Sequence, residues 1–399
     1  MNYWIGRPGI VCAMGSDITQ ISQALHAGNT AGMRKLEGWV DGRAITLGAF
    51  SDAVPLLPHG LAPQHDSRNN RFVLAAAQQI EADLRAAVDR YGPERVAIVL
   101  GTSTSGINDN SDAYAHLEQY GSWPSSFDYR RQVLSAPASF LSAWLGSRGP
   151  AYTLSTACTS SARALLSARS LLEMGICDAV VCGGADTLCR LTINGFASLE
   201  AISDDLCMPF SINRHGINIG EAAVLFLMER RRGRGPSVRL MGGGASSDAW
   251  HMSSPEPQGA GAIRAMREAL GDAGLEARDI AWVNLHGTGT SHNDAMESIA
   301  MDSVFGHGVP CASTKPLTGH ALGAAAALEA ALAWITLTRN PGELAMPPHI
   351  WDGRADPALP ALDFSTTAHR FSSDTPPIIM SNSFAFGGNN TSLILGCAQ

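Results

Sequence analysis

The chain contains no C-x-x-C pair, and none of its eight cysteines has the paired spacing of a zinc site. No apolar run reaches the length of a membrane span. The N-terminal stretch MNYWIGRPGI lacks a basic segment leading into a long apolar one, so no signal peptide is expected. A reducing, cytoplasmic setting with free thiols is the expectation from these absences. Positive charge is also in deficit. A formal net charge of −8 argues against general nucleic-acid binding, while leaving room for a local basic patch.

What is present suits a large α/β protein. The 399 residues are 45% hydrophobic, enough for two domains or one large layered one. A strand is expected from Tyr3, then a helix capped near Ser16 or Asp17. Residues 31–65 are rich in turns and resist assignment. The spacing from Arg68 predicts one long amphipathic helix that Gly92 stops. RVAIVL (95–100) reads as a buried strand ending in the small-residue loop GTSTSGIND. Residues 107–135 show no clear period and read as a surface excursion. A helix over 137–145 leads into YTLSTACTSSARALLSA (152–168): a short strand, a small-residue turn holding Cys158, and an Ala/Leu/Ser-rich helix. A strand CDAVVCGGAD, a further strand over 222–230 and the basic linker RRGRG (231–235) follow.

After the linker the pattern recurs. RVAIVLGTSTSG (95–106) lies over IAWVNLHGTGTS (280–291) almost residue for residue. The next unit repeats too: the strand, turn and helix around Cys158 match PCASTKPLTGHALGAAAALEAALAWITL. Two related halves, 1–235 and 236–399, are the expectation, with layered sheets and helices on their faces.

Matched loops of two such halves would share one face. Cys158 follows the second matched strand of the first half. His286 ends the first matched strand of the second, and Lys315 and His320 precede the helix that matches the Cys158 helix. A cysteine at a helix start sees the positive end of the helix dipole, which favours its thiolate. Taken alone, the Cys158 stretch still fits a buried core cysteine better than a nucleophile. The four groups together have a specific use. A thiolate accepts an acyl group from a thioester. Two neutral imidazoles donate to a thioester oxygen as charge builds there, which suits decarboxylation of a malonyl thioester. No metal is required. His292 is treated as incidental. The segment SNSFAFGGNN (381–390) can bring backbone N–H groups to an oxyanion, with an aromatic gate between its glycines; a bulged edge strand accounts for it equally well.

TACTSSA, NLHGTGT, STKPLTGHALGA and NSFAFGGNN, in that order, resemble the four motifs of the β-ketoacyl-acyl-carrier-protein synthases. The resemblance covers nearly the whole chain. It implies the five-layered αβαβα thiolase-like fold, Cys158 as acyl-accepting nucleophile, His286 and His320 as the histidine pair, and Lys315 as their support with Glu329. It implies an oxyanion hole from the backbone N–H groups of Cys158 and Phe386, with Phe386 also the gate, and Thr104 near the acyl pocket. No cofactor is implied beyond the phosphopantetheine of the acyl carrier protein. TSTSGIND, INGFASLEAIS, SSPEPQG and SFAFGGNN are most similar to ketosynthases of bacterial aryl polyene gene clusters. That likeness implies an aryl-ended polyene chain and either a homodimer or a chain-length-factor-like partner. Ser291, Ala385, Asn389, RHGI (214–217) and GEAAV (220–224) depart from the family pattern.

An acidic carrier needs a basic docking face. Arg68 and Arg71 are the first candidates, Arg130 and Arg131 the second; ordinary surface charge explains them as well. The rival readings are a non-catalytic chain-length-factor-like subunit, which typically lacks the nucleophile, and an acyl-CoA thiolase, which needs a second cysteine where Cys397 is a poor substitute. A Cys-His hydrolase would lack the duplicated halves.

Overall fold

The structure, a computed structural model, describes residues 3–233, 235–339, 345–372 and 375–397. Two half-sheets meet at one short strand. Trp4–Ile5 pairs antiparallel with Ala222–Glu229 on one side and with Val238–Ser247 on the other. In the first half Ala151–Leu154, Val96–Gly101 and Ala179–Asp186 run parallel, in that order, and Ala222–Glu229 closes antiparallel. In the second half Pro310–Ala312, Trp282–Asn284 and Ile378–Ala385 run parallel in the same order, and Asn389–Gly396 closes antiparallel. Order and polarity match across these four strands, and the second half adds a short edge strand, Asp363–Phe364, parallel to Pro310–Ala312.

Helices fill three layers. Ser160–Glu173 and Ala325–Leu337 lie between the halves. Every residue of Ala325–Leu337 is buried, because AAALEAALAWITL is apolar nearly all round. Arg68–Gln79 and Ala136–Leu145 cover the outer face of the first half. Ala260–Ala273, backed by Ser291–Phe305, covers that of the second. The stack is the αβαβα layering of the thiolase-like fold. In both halves the parallel strands end on the same side, so their C-terminal loops converge between the halves.

Three stretches differ from the sequence reading. The long helix from Arg68 is two, Arg68–Gln79 and Glu81–Tyr91, because Ile80 leaves helical geometry (φ −123°, ψ 17°) to bury its side chain. Within 31–65, Met33–Val40 and Arg43–Gly48 form a hairpin turned at Asp41-Gly42, where Gly42 takes φ 69°. Within 107–135 a helix, Ser111–Tyr120, is stopped by Gly121. Beyond it Trp123 and Phe127 stack at 3.9 Å and hold the excursion together.

Candidate active site

Cys158 sits on a tight turn. The strand Ala151–Leu154 ends, Ala157 takes a left-handed φ of 51°, and the helix Ser160–Glu173 begins two residues past the cysteine. Small residues are needed because the chain doubles back. Ser160 Oγ pins the turn, accepting from Thr156 N at 2.9 Å and donating to Ala157 O at 2.5 Å.

His320 approaches from the other half. The short helix Lys315–Thr318 ends at Gly319 (φ 68°), and His320 N donates to Asn218 O at 2.7 Å. This puts His320 Nε2 2.9 Å from Cys158 Sγ. The His286 ring meets the His320 ring edge-on, with centroids 5.1 Å apart. The sulfur and one nitrogen from each ring all lie within 4.8 Å of one another.

Lys315 sets the protonation of this group. Only Lys35 and Lys315 are lysines among the chain's 28 basic residues. Lys315 Nζ donates to Glu329 Oε1 at 2.6 Å and to the His286 carbonyl, and faces His286 Nδ1 at 3.5 Å. An ammonium has only donors. His286 Nδ1 is therefore the bare nitrogen and Nε2 carries the proton. Burial drives both imidazoles well below their usual range, and the Lys315 charge adds to it. Both rings are neutral.

For the cysteine, burial acts against the thiolate expected from its place at a helix start. Burial pushes the Cys158 thiol up to about 12; Lys315 draws it down, while Glu329 and Asp186 push it up.

Two acids missed at the sequence level position His286. Glu297 accepts the N–H groups of His286 and Gly287, each at 2.7 Å, and Asp294 accepts from Gly289 N at 3.2 Å and Phe210 N at 2.7 Å. Both are fully buried, and burial pushes Glu297 up to about 8. D-x-x-E in the first turns of the helix after HGTGT was the available signal, since such carboxylates can only cap the loop's amides.

A cavity of about 530 Å³ opens onto Cys158, His286 and His320, and Phe384 and Phe386 line it. The Phe386 ring rests 5.3 Å from that of Phe196. A neighbouring segment clasps the Phe386 loop. Gly387 N donates to Met252 O, Asp248 N to Gly388 O, both at 2.8 Å, and Asn390 Nδ2 to Asp248 Oδ1 at 2.7 Å.

Other expected site residues stand elsewhere. Thr104 does not line this cavity; its hydroxyl and N–H bond Asp186 at 2.9 and 3.0 Å. Arg68 grips the buried Glu221 through two bonds, at 2.6 and 3.1 Å. Arg71 pairs with Asp66 and Arg130 with Asp128, each at 2.7 Å, while Arg131 donates to Ser126 O. Each of the four arginines has a partner within the chain. His292, by contrast, is exposed and does line the cavity.

A buried thiol, two neutral imidazoles and one lysine between duplicated halves describe an acyl-transferring condensing centre. The comparisons agree. Residues 53–233 match the N-terminal domain of β-ketoacyl synthases and 238–345 the C-terminal domain. Nodulation protein E of Rhizobium meliloti is 32% identical over 96% of both chains. 3-Oxoacyl-[acyl-carrier-protein] synthase 2 of Synechocystis sp. is 30% identical over 86% of this chain and 84% of its own. A chain of the ketosynthase ApeO in complex with its chain length factor ApeC, from Xenorhabdus doucetiae, superimposes with TM-score 0.92. It is 46% identical and covers 100% of this chain and 98% of that one. The chain belongs to the β-ketoacyl synthase family and is an acyltransferase.

Proposed function

We propose that Cys158, His286, His320 and Lys315 carry a decarboxylative Claisen condensation on thioesters of an acyl carrier protein. The Cys158 thiol attacks the acyl thioester, its proton moves to His320 Nε2 and stays there, and the carrier leaves as a thiolate that takes a proton from solvent. Acyl-Cys158 forms. A malonyl-carrier then loses CO₂, and the enolate oxygen takes hydrogen bonds from the two imidazoles. The enolate carbon attacks acyl-Cys158, the sulfur leaves as a thiolate and takes back its proton from His320 Nε2, and a 3-oxoacyl-carrier two carbons longer is released. The backbone N–H groups of Cys158 and Phe386 serve as the oxyanion hole. Phe386 opens and closes the cavity between the two half-reactions. The reaction requires no cofactor beyond the carrier's phosphopantetheine, and the halves 1–235 and 236–399 divide the work between nucleophile and histidines.

The observation that carries this reading is the 2.9 Å Cys158–His320 approach beside a His286 whose tautomer Lys315 dictates. A non-catalytic subunit has no use for that arrangement. The 46% identity to a chain of the ApeO–ApeC complex supports a chain-length-factor-like partner and an aryl polyene product. Ala151–Leu154 ends the sheet with an unpaired edge where a second subunit can add strands. No described helix is long and apolar enough to cross a membrane, and a cytoplasmic site of action is the setting proposed. Incubation with acyl-carrier and malonyl-carrier, followed by intact mass, is the test. Acylation at Cys158 and a product two carbons longer are expected. No adduct at Cys158 with short, long or aryl donors would remove the enzyme reading.

A further inference from the structure

Asp186 ends the strand Ala179–Asp186 and is completely buried, yet the mechanism above does not use it. Its carboxylate collects bonds from two directions. From the first half, Thr102 Oγ1 and Ser103 Oγ donate at 2.6 Å each, Thr104 Oγ1 at 2.9 Å, and the N–H groups of Ser103 and Thr104 at 2.9 to 3.0 Å. From the second half, Gly323 N donates at 2.7 Å. Every contact is a donor, and among the described residues no ion pair links Asp186 to a cation. A buried carboxylate is costly to keep.

Its place explains it. Gly323 lies three residues past His320, and between them Leu322 takes φ 47°, which a branched side chain resists. A charge-assisted bond at Gly323 holds that strained turn closed. The junction has no slack: a Cβ on Gly323 would stand 2.7 Å from both Asp186 Oδ2 and Ser103 N. We infer that Asp186 is a positioning residue for His320, the buried anion by which the first half fixes the histidine turn of the second against Cys158.

The inference rests on the condensing role proposed above. Two variants test it, Asp186→Asn and Gly323→Ala, each read by malonyl-carrier decarboxylation and by the pH midpoint of Cys158 alkylation. Wild-type decarboxylation is measured first, and its absence would count against the condensing role; the alkylation arm reads Asp186 regardless. The charged and titratable groups facing Cys158 are Lys315, Glu329, Asp186, His286 and His320. Asp186→Asn removes an anion, so the alkylation midpoint is expected to fall, while decarboxylation drops roughly 10²-fold, mainly in kcat. Gly323→Ala keeps the anion and displaces the turn. It is expected to lose decarboxylation with the midpoint unmoved. Should Asp186→Asn fail to fold, Gly323→Ala alone decides. Full decarboxylation in folded Gly323→Ala, or a lower melting temperature in Asp186→Asn with kcat and midpoint unchanged, overturns the inference.

Discussion

His320 Nε2 stands 2.9 Å from Cys158 Sγ, and both groups are buried and neutral. The nucleophile is thus stored as a thiol beside its proton acceptor, not as a free thiolate. Burial holds Cys158 near 12 while Lys315 draws it down. Iodoacetamide labelling of Cys158, followed by peptide mass, should therefore be slow at pH 7 to 8 and climb steeply above it. A plateau reached near pH 7 would mean that the thiolate is the resting form.

Lys315 and Glu329 form an ion pair with both side chains almost fully buried. Lys315→Met leaves Glu329 without its cation, which costs about 3–5 kcal/mol. It also frees His286 Nδ1 to take a proton, so Nε2 no longer has to donate. Decarboxylation should fall, and Cys158 alkylation should need a higher pH, since the cation that lowers its pKa is gone. The double variant Lys315→Met/Glu329→Leu should recover stability in urea unfolding but not decarboxylation. Recovery of both would reduce Lys315 to a structural counter-ion.

The arginines divide by what lies beneath them. Arg68 meets Glu221, which is 1% exposed, whereas Arg130 is 66% exposed on a surface pair with Asp128. Arg68→Ala should cost about 1–3 kcal/mol, because Glu221 keeps its Phe50 and Leu188 N–H donors but loses its cation. Arg130→Ala should stay within about 0.5 kcal/mol. Equal losses in chemical denaturation would contradict this division.

The arginines also show where sequence reading stops. Cys158, His286, Lys315 and His320 were legible because each lies in a small-residue loop at a matched place, and the duplication puts those loops on one face. Pairing is not legible in that way. Arg68 and Glu221 are 153 positions apart, and only the fold reveals that the guanidinium is already bound. Asp186 binds hydroxyls and backbone amides that many loops offer, so no spacing marks it, and Glu297 is marked only by the D-x-x-E that follows HGTGT. For Cys158 a helix start is visible in sequence and the depth of its burial is not. Ile80 breaks a helix whose apolar spacing runs on through it, a tertiary effect that periodicity does not register.

His349 gives the fold a pH dependence apart from the catalytic groups. It is fully buried, accepts Ser313 N at 3.1 Å, donates to Pro209 O at 3.1 Å and stacks on Phe364 at 4.2 Å. It thereby braces the segment that leads into Lys315. Burial drops its pKa from 6.5 to about 4. A lowered folded-state pKa means the unfolded chain binds the proton more readily. The stabilisation is complete above about pH 6.5 and is lost as pH falls toward 4, at roughly 3 kcal/mol in all. His349→Asn can still accept from Ser313 and donate to Pro209, but it does not titrate. The variant should be less stable than wild type at pH 7.5, having lost the stack, and should show a flatter decline between pH 7 and 4.5 in urea unfolding. An unchanged decline would assign the acid sensitivity to His286, His320 and the other buried groups.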